Sequence, residues 1–242
     1  MTRHRRRRSR RTALIVAVML AAAMALAFLH FRSRPWDLPW TKVNLAEPVG
    51  LFTGSKLAAL GTDYPLCRAL LDRAGVRYAK LAPIAVGRCG YADAVRLDPG
   101  GSRTIGFDPA KPGMACPVAA ALAMWEWNVV QPAALRRFGS RVVTFEQFGT
   151  YNCRDIAGSA TLSEHAHARA IDIAGFVLAN GKRITIARDW SGGGREAAFL
   201  RDVRDGACRL FATTLSPDYN ASHHDHLHLD EAMRGGWGGV CR

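Results

Sequence analysis

The chain has 242 residues, 49% of them apolar, and a formal net charge of +13, which provides for a folded core and excludes wholesale disorder. Seven arginines lie within residues 1–11, with Arg32 and Arg34 soon after; removing these nine from +13 leaves +4 for everything from Pro35 onward. So mildly basic a body lacks a concentrated phosphate-binding footprint, which excludes nucleic acid as the expected partner.

The first element in chain order is an export signal. The Arg-rich segment 1–12 precedes seventeen consecutive apolar residues, Ala13 to Leu29, which as a helix cover ~25 Å of a ~30 Å hydrocarbon core. Phe31, Trp36 and Trp40 extend the crossing into the interface. We expect a transmembrane signal anchor over residues 13–31, uncleaved because AMA and ALA are not followed by a polar stretch. The arginines then stay cytoplasmic and the rest of the chain faces the periplasm or cell exterior. Residues 32–50, punctuated by Pro and Trp, read as a linker, and residues 51–242 as one domain.

Within that domain, Leu66 to Ala74 is an expected helix closed by Gly75. CPVAAALAMWEWNVVQP carries Pro117 in a first-turn position, and Val118, Leu122, Trp125 and Val129 recur at helical spacing. This predicts an amphipathic helix, with Pro132 restarting a shorter one that ends at Gly139. The period then changes to two. RVVTFEQF predicts a strand, and AIDIAGFVLANGKRITIA a hairpin turning at Asn180-Gly181. REAAFLRDVRDG is a helix stopped by Gly206, and HLHLD a final short strand. Helices followed by mostly antiparallel strands predict an α+β domain.

Six cysteines, Cys67, Cys89, Cys116, Cys153, Cys208 and Cys241, form no CxxC pair and, in an exported chain, predict three disulfides. Nearness along the chain suggests 67–89, 116–153 and 208–241.

Six of the eight histidines fall in SEHAHARAID (163–172) and HHDHLHLD (223–230). A fully extended segment would hold His165 and Asp172 ~23 Å apart, so the chain must bend before Ile171 to bring them together. His226 and His228, two apart on a strand, leave the same face. Two imidazoles and a carboxylate brought together suit one catalytic zinc ion, which takes three protein ligands and keeps a fourth position open.

SEHAHARAID resembles the S-x-H-x-x-G-x-A-x-D motif of D-Ala-D-Ala carboxypeptidases and related murein endopeptidases, and HDHLH resembles their closing H-x-H. Hedgehog signalling domains share that zinc scaffold. More closely, residues ~50 to 242 resemble the bacterial extensin-like C-terminal domain family. The resemblance implies a hedgehog/D-Ala-peptidase-like antiparallel sheet with flanking helices. It also implies His165, Asp172 and His228 as ligands of one Zn2+ ion. The proton-transferring base is then His226 or Asp225, with His226 favoured because it shares the face of His228. Arg154 corresponds to an arginine that stabilises the tetrahedral intermediate or holds a substrate carboxylate. Ser163, Tyr151 and His223 are expected to support or line the substrate site, whereas His167 has no motif role. Ala168 departs from the pattern by standing at the usual glycine. The site and the resemblance together predict a membrane-anchored zinc peptidase, and the resemblance alone implies that it hydrolyses peptidoglycan peptides. The alternative is a zinc-containing module that binds the cell wall or a protein without cleaving.

Overall fold

A computed structural model describes residues 2–98, 105–232 and 239–242, with side chains from Thr12 onward. The apolar run lies in α1 (Thr2–Ser33). Its Thr12–Ser33 portion is long and apolar enough to cross a membrane and packs none of its surface inside the protein. The segment after it folds onto the domain. Leu45 is buried in the core, and the Asp37 carboxylate accepts from the Leu51 amide at 3.1 Å. Lys56 of α2 (Thr53–Ala59) donates to the Trp36 carbonyl at 3.2 Å and to the Thr41 hydroxyl at 2.8 Å.

α3 (Tyr64–Arg73) starts where Asp63 accepts from the Leu66 amide at 2.9 Å, with Pro65 in its first turn; both satisfy or remove otherwise orphaned donors. Six short strands follow, and the expected order of helices before strands does not hold here. They are β1 (Tyr78–Lys80), β2 (Ile84–Val86), β3 (Cys89–Tyr91), β4 (Ala94–Leu97), β5 (Gly106–Asp108) and β6 (Gly113–Ala115). At three or four residues each, they are too short to show a period in sequence.

α4 (Cys116–Trp125) has all ten residues buried, so it is the central helix of the core and not an amphipathic one. It runs without interruption through a π-helical turn, Glu126–Val130, into α5 (Gln131–Phe138). Pro132 falls in the first turn of α5 and interrupts nothing. Gly139, with φ of +63°, ends the helix as the sequence predicted.

β7 (Val142–Gly149) and β8 (Ala170–Leu178) form the spine of a mixed seven-stranded sheet. β9 (Arg183–Thr185) returns along β8 through the Asn180-Gly181 turn, with Gly181 at φ of +84°. After α6 (Ile186–Asp189) comes α7 (Arg195–Ala207), which passes through Gly206. That glycine is not a stop: a Cβ there would lie 2.2 Å from Val129 Cγ1, so it permits α7 to touch the π-helical turn. β10 (Thr213–Leu215), β11 (Leu227–Asp230) and β12 (Val240–Cys241) complete the order β12-β10-β11-β8-β7-β5. β5 and β12 pair in parallel and the other strands antiparallel. β1, β4 and β6 form a second sheet, and β2 with β3 a separate hairpin. The domain is α+β, with mixed sheets.

Trp125 links the layers. Its ring packs against Phe145 of β7 and Phe176 of β8 at 5.4 and 5.9 Å, and its indole N–H donates to the Val203 carbonyl of α7 at 2.8 Å. A buried indole needs such an acceptor.

The three disulfides exist, but two pair differently from the nearest-neighbour expectation. Cys67 bonds Cys116, Cys89 bonds Cys153, and Cys208 bonds Cys241 as expected. Packing overrides chain distance. Cys67 on α3 meets the start of α4, with Cα atoms 6.1 Å apart across 49 residues. Cys89 ties the β2–β3 hairpin to the loop after β7 across 64 residues.

Candidate metal centre

The bend required between His165 and Asp172 is a tight one. Glu164–His167 form one 3-10 turn, begun by Ser163, and Ala168 follows in the left-handed region at φ of +53°. The alanine therefore adopts the conformation its glycine-preferring position calls for, and bears the steric cost. Surrounding hydrogen bonds hold it there: Ala168 O accepts from Ala115 N at 2.8 Å, and Ala168 N donates to His165 O at 3.1 Å. β8 then starts, placing Asp172 directly opposite His228 of β11.

Three donor groups converge as a result. His165 Nε2 is 3.1 Å from His228 Nδ1 and 3.2 Å from Asp172 Oδ2, and His228 Nδ1 is 3.0 Å from Asp172 Oδ1. All lie within 4.8 Å of one another, the grouping a single metal ion requires. The remaining imidazole nitrogens are also engaged. His165 Nδ1–H donates to the Thr150 carbonyl at 3.1 Å, and His228 Nε2–H to Asp230 Oδ2 at 3.1 Å. Outer partners of this kind fix the tautomer and aim the free nitrogen at a metal. The set of two nitrogens and a carboxylate fits zinc in its open, three-ligand form.

The electrostatics agree with a tightly coupled group. Burial pushes the Asp172 carboxyl up, but hydrogen bonds from His165 and His228 outweigh it and hold the carboxyl well below the usual range. For His228, burial favours the neutral ring, yet hydrogen bonds to Asp172 and Asp230 raise it to about 9.

His226 stands at the edge of this group. Its Nε2 is 3.6 Å from Asp172 Oδ1, and its Nδ1–H donates to Asp225 at 2.8 Å. The two alternatives for the base are thus one hydrogen-bonded pair, with the imidazole nearer the centre. The His223 ring lies 5.2 Å from His226 and 6.0 Å from His228. Burial, followed by the charges of His226 and His228, lowers His223 to about 4. Arg154 is exposed and makes no ion pair with a described residue, but its charge reaches His223. Tyr151 packs edge-on to Tyr91 at 5.6 Å on the adjoining wall.

Ser163 is buried, and its hydroxyl accepts from the His165 amide at 3.3 Å, so it braces the His165 backbone. His167 turns the other way, and its Nδ1 bonds the Gly90 carbonyl at 3.1 Å. The Gly192-Gly193-Gly194 loop has Asp189, Glu196 and Ala197 as neighbours, none of them in the centre.

Sequence reasoning missed Asp230, Phe148 and Thr150. Asp230 had a signal, since His226, His228 and Asp230 alternate along one strand face. Phe148, an exposed ring 5.9 Å from His226, sits on a strand where a solvent-facing aromatic attracts no notice. Thr150 acts through its carbonyl, which leaves no trace in side-chain type. Phe148, Thr150 and Tyr151 also line a groove of about 490 Å³ that includes Arg96 and Gln147.

Neither a curated protein nor a solved structure matches this chain. A family model described as the extensin-like protein C-terminus matches residues 65–242, a span that contains every strand of the sheets and the centre. The chain belongs to the family of extensin-like protein C-termini.

Proposed function

We propose that the protein is a zinc-dependent peptidase of the cell envelope, hydrolysing peptide bonds of peptidoglycan. The observation that carries this is the convergence of His165, Asp172 and His228 beside a hydrogen-bonded His226–Asp225 pair. The motif resemblance to D-Ala-D-Ala carboxypeptidases and murein endopeptidases supports the substrate class and the hedgehog/D-Ala-peptidase-like scaffold. Three disulfides suit an oxidising compartment, and the arginines before the apolar helix favour a single-pass anchor with the domain outside the cytoplasm.

When bound, zinc supplies Lewis acidity and lowers the pKa of a coordinated water toward about 7. Asp225 fixes the His226 tautomer, leaving Nε2 to accept a proton from water and return it to the leaving amine. Arg154, exposed and without an ion-pair partner among the described residues, has its charge within reach of His223 and serves the developing negative charge or a substrate carboxylate. The groove past Phe148, Thr150 and Tyr151 receives the peptide.

The test uses full-length chain in detergent, oxidised and zinc-loaded, incubated with purified muropeptides and analysed by product mass spectrometry beside His165→Ala. A cleavage product made by the wild type alone is expected, and its mass names the bond. Intact muropeptides with zinc confirmed in the wild type would overturn the peptidase reading in favour of a zinc-containing binding module.

A further inference from the structure

The groove of about 490 Å³ is lined from both sheets. The end of β7 and the loop after it form one side, and this side borders the metal centre. Gly149 is the register partner of Asp172 across the β7–β8 ladder. The Thr150 carbonyl holds His165 Nδ1 at 3.1 Å, and the Phe148 ring lies 5.9 Å from His226. Tyr91 of the β2–β3 hairpin also lines the groove, edge-on to Tyr151.

The smaller sheet contributes Arg96 of β4, which alone among the described lining residues carries a charge. Arg96 is exposed and makes no ion pair with a described residue. Its register partners on the two flanking strands are Ala79 of β1 and Gly113 of β6, whose side chains offer a guanidinium no acceptor. The five donors of Arg96 are therefore left to water or to whatever occupies the groove. On an open surface such a cation is screened, whereas a cleft of one charge sign with aromatic walls concentrates its field. A carboxylate matches the guanidinium fork in plane, through two charge-assisted hydrogen bonds.

We propose that Arg96 sets the specificity of the groove by pairing with a carboxylate that the bound peptide carries apart from the reacting amide. The assignment deepens the peptidase reading and rests on the groove receiving the peptide. Arg154 is not among the described residues that line the groove, so the two arginines serve different parts of the substrate.

The experiment is isothermal titration calorimetry on the full-length chain in detergent, once zinc-loaded and once with a chelator to halt turnover. The probes are a purified muropeptide with its carboxylates free and the same muropeptide with them converted to carboxamides. The wild type should bind the free acid at least about tenfold more tightly than the amide. Arg96→Gln should lose at least about tenfold toward the free acid and less than about threefold toward the amide. Equal losses toward both probes, or no loss toward either, would overturn the assignment of Arg96 while leaving the peptide reading in place. Saturable binding of neither probe by the wild type would overturn the peptide reading, and this assignment with it. Should Arg96→Gln fail to fold, equal binding of acid and amide by the wild type would still overturn the proposal.

Discussion

The β8–β11 ladder and the β2–β3 hairpin are held in place by different means. On the ladder, Asp172 and His228 face each other because strand register leaves them no choice, and their side chains are nearly buried. The hairpin has three residues per strand and joins neither larger sheet. A hairpin so short is marginal by itself, and the Cys89–Cys153 bond supplies what pairing cannot. The Arg88–Asp155 pair is exposed and adds little. The centre is therefore placed by backbone pairing and the cleft wall by a covalent strap, so damage to one need not spread to the other.

The largest effect should come from breaking the centre. His165→Ala, Asp172→Ala or His228→Ala removes one of the three proposed ligands, and zinc affinity should fall at least about 1,000-fold in a chelator competition assay. The strap comes next. Replacing Cys89 and Cys153 together by serine should lower stability by about 2–4 kcal/mol in denaturant unfolding. It should also speed amide exchange in the hairpin, while zinc affinity stays within about tenfold of the wild type. A comparable loss of zinc would show that hairpin and ladder are not independent.

Asp230→Asn tests the outer layer of the centre. It keeps the shape but loses the charge that orients His228, and about 10–100-fold in zinc affinity should go with it. Proton linkage sharpens the same point. His228 is raised to about 9 by its carboxylate partners, so in the metal-stripped chain it holds a proton at neutral pH. The stability this gives is complete below the unfolded value of ~6.5 and is lost as pH rises through about 9. Zinc bound at His228 would have to displace that proton. Calorimetry at pH 7 in two buffers of different ionisation enthalpy should show about one proton released per ion, with affinity rising toward pH 9. The smallest effect is at the turn. Ala168→Gly removes the left-handed penalty and should stabilise the protein by up to about 1 kcal/mol in thermal unfolding.

Legibility in the sequence followed the same divide. β7, the β8–β9 hairpin and β11 were readable because alternation and the Asn-Gly turn leave period-two traces over several residues. The residues of the centre were readable because imidazoles are scarce and were clustered. β1 to β6 were not, since strands of three or four residues carry no period. The burial of α4 was also hidden, because a helix apolar on nearly every face still contains an amphipathic subset. Disulfide partners depend on which elements pack together, so only Cys208–Cys241 followed from nearness. Asp230 was within reach of strand alternation, whereas the Thr150 carbonyl was not.

The most direct test of the centre is zinc-edge X-ray absorption on the full-length chain, beside His228→Ala. A shell of nitrogen and oxygen at ~2.0–2.2 Å is expected, with an imidazole signature that weakens in the variant. A shell containing sulfur, or a spectrum unchanged by His228→Ala, would contradict it.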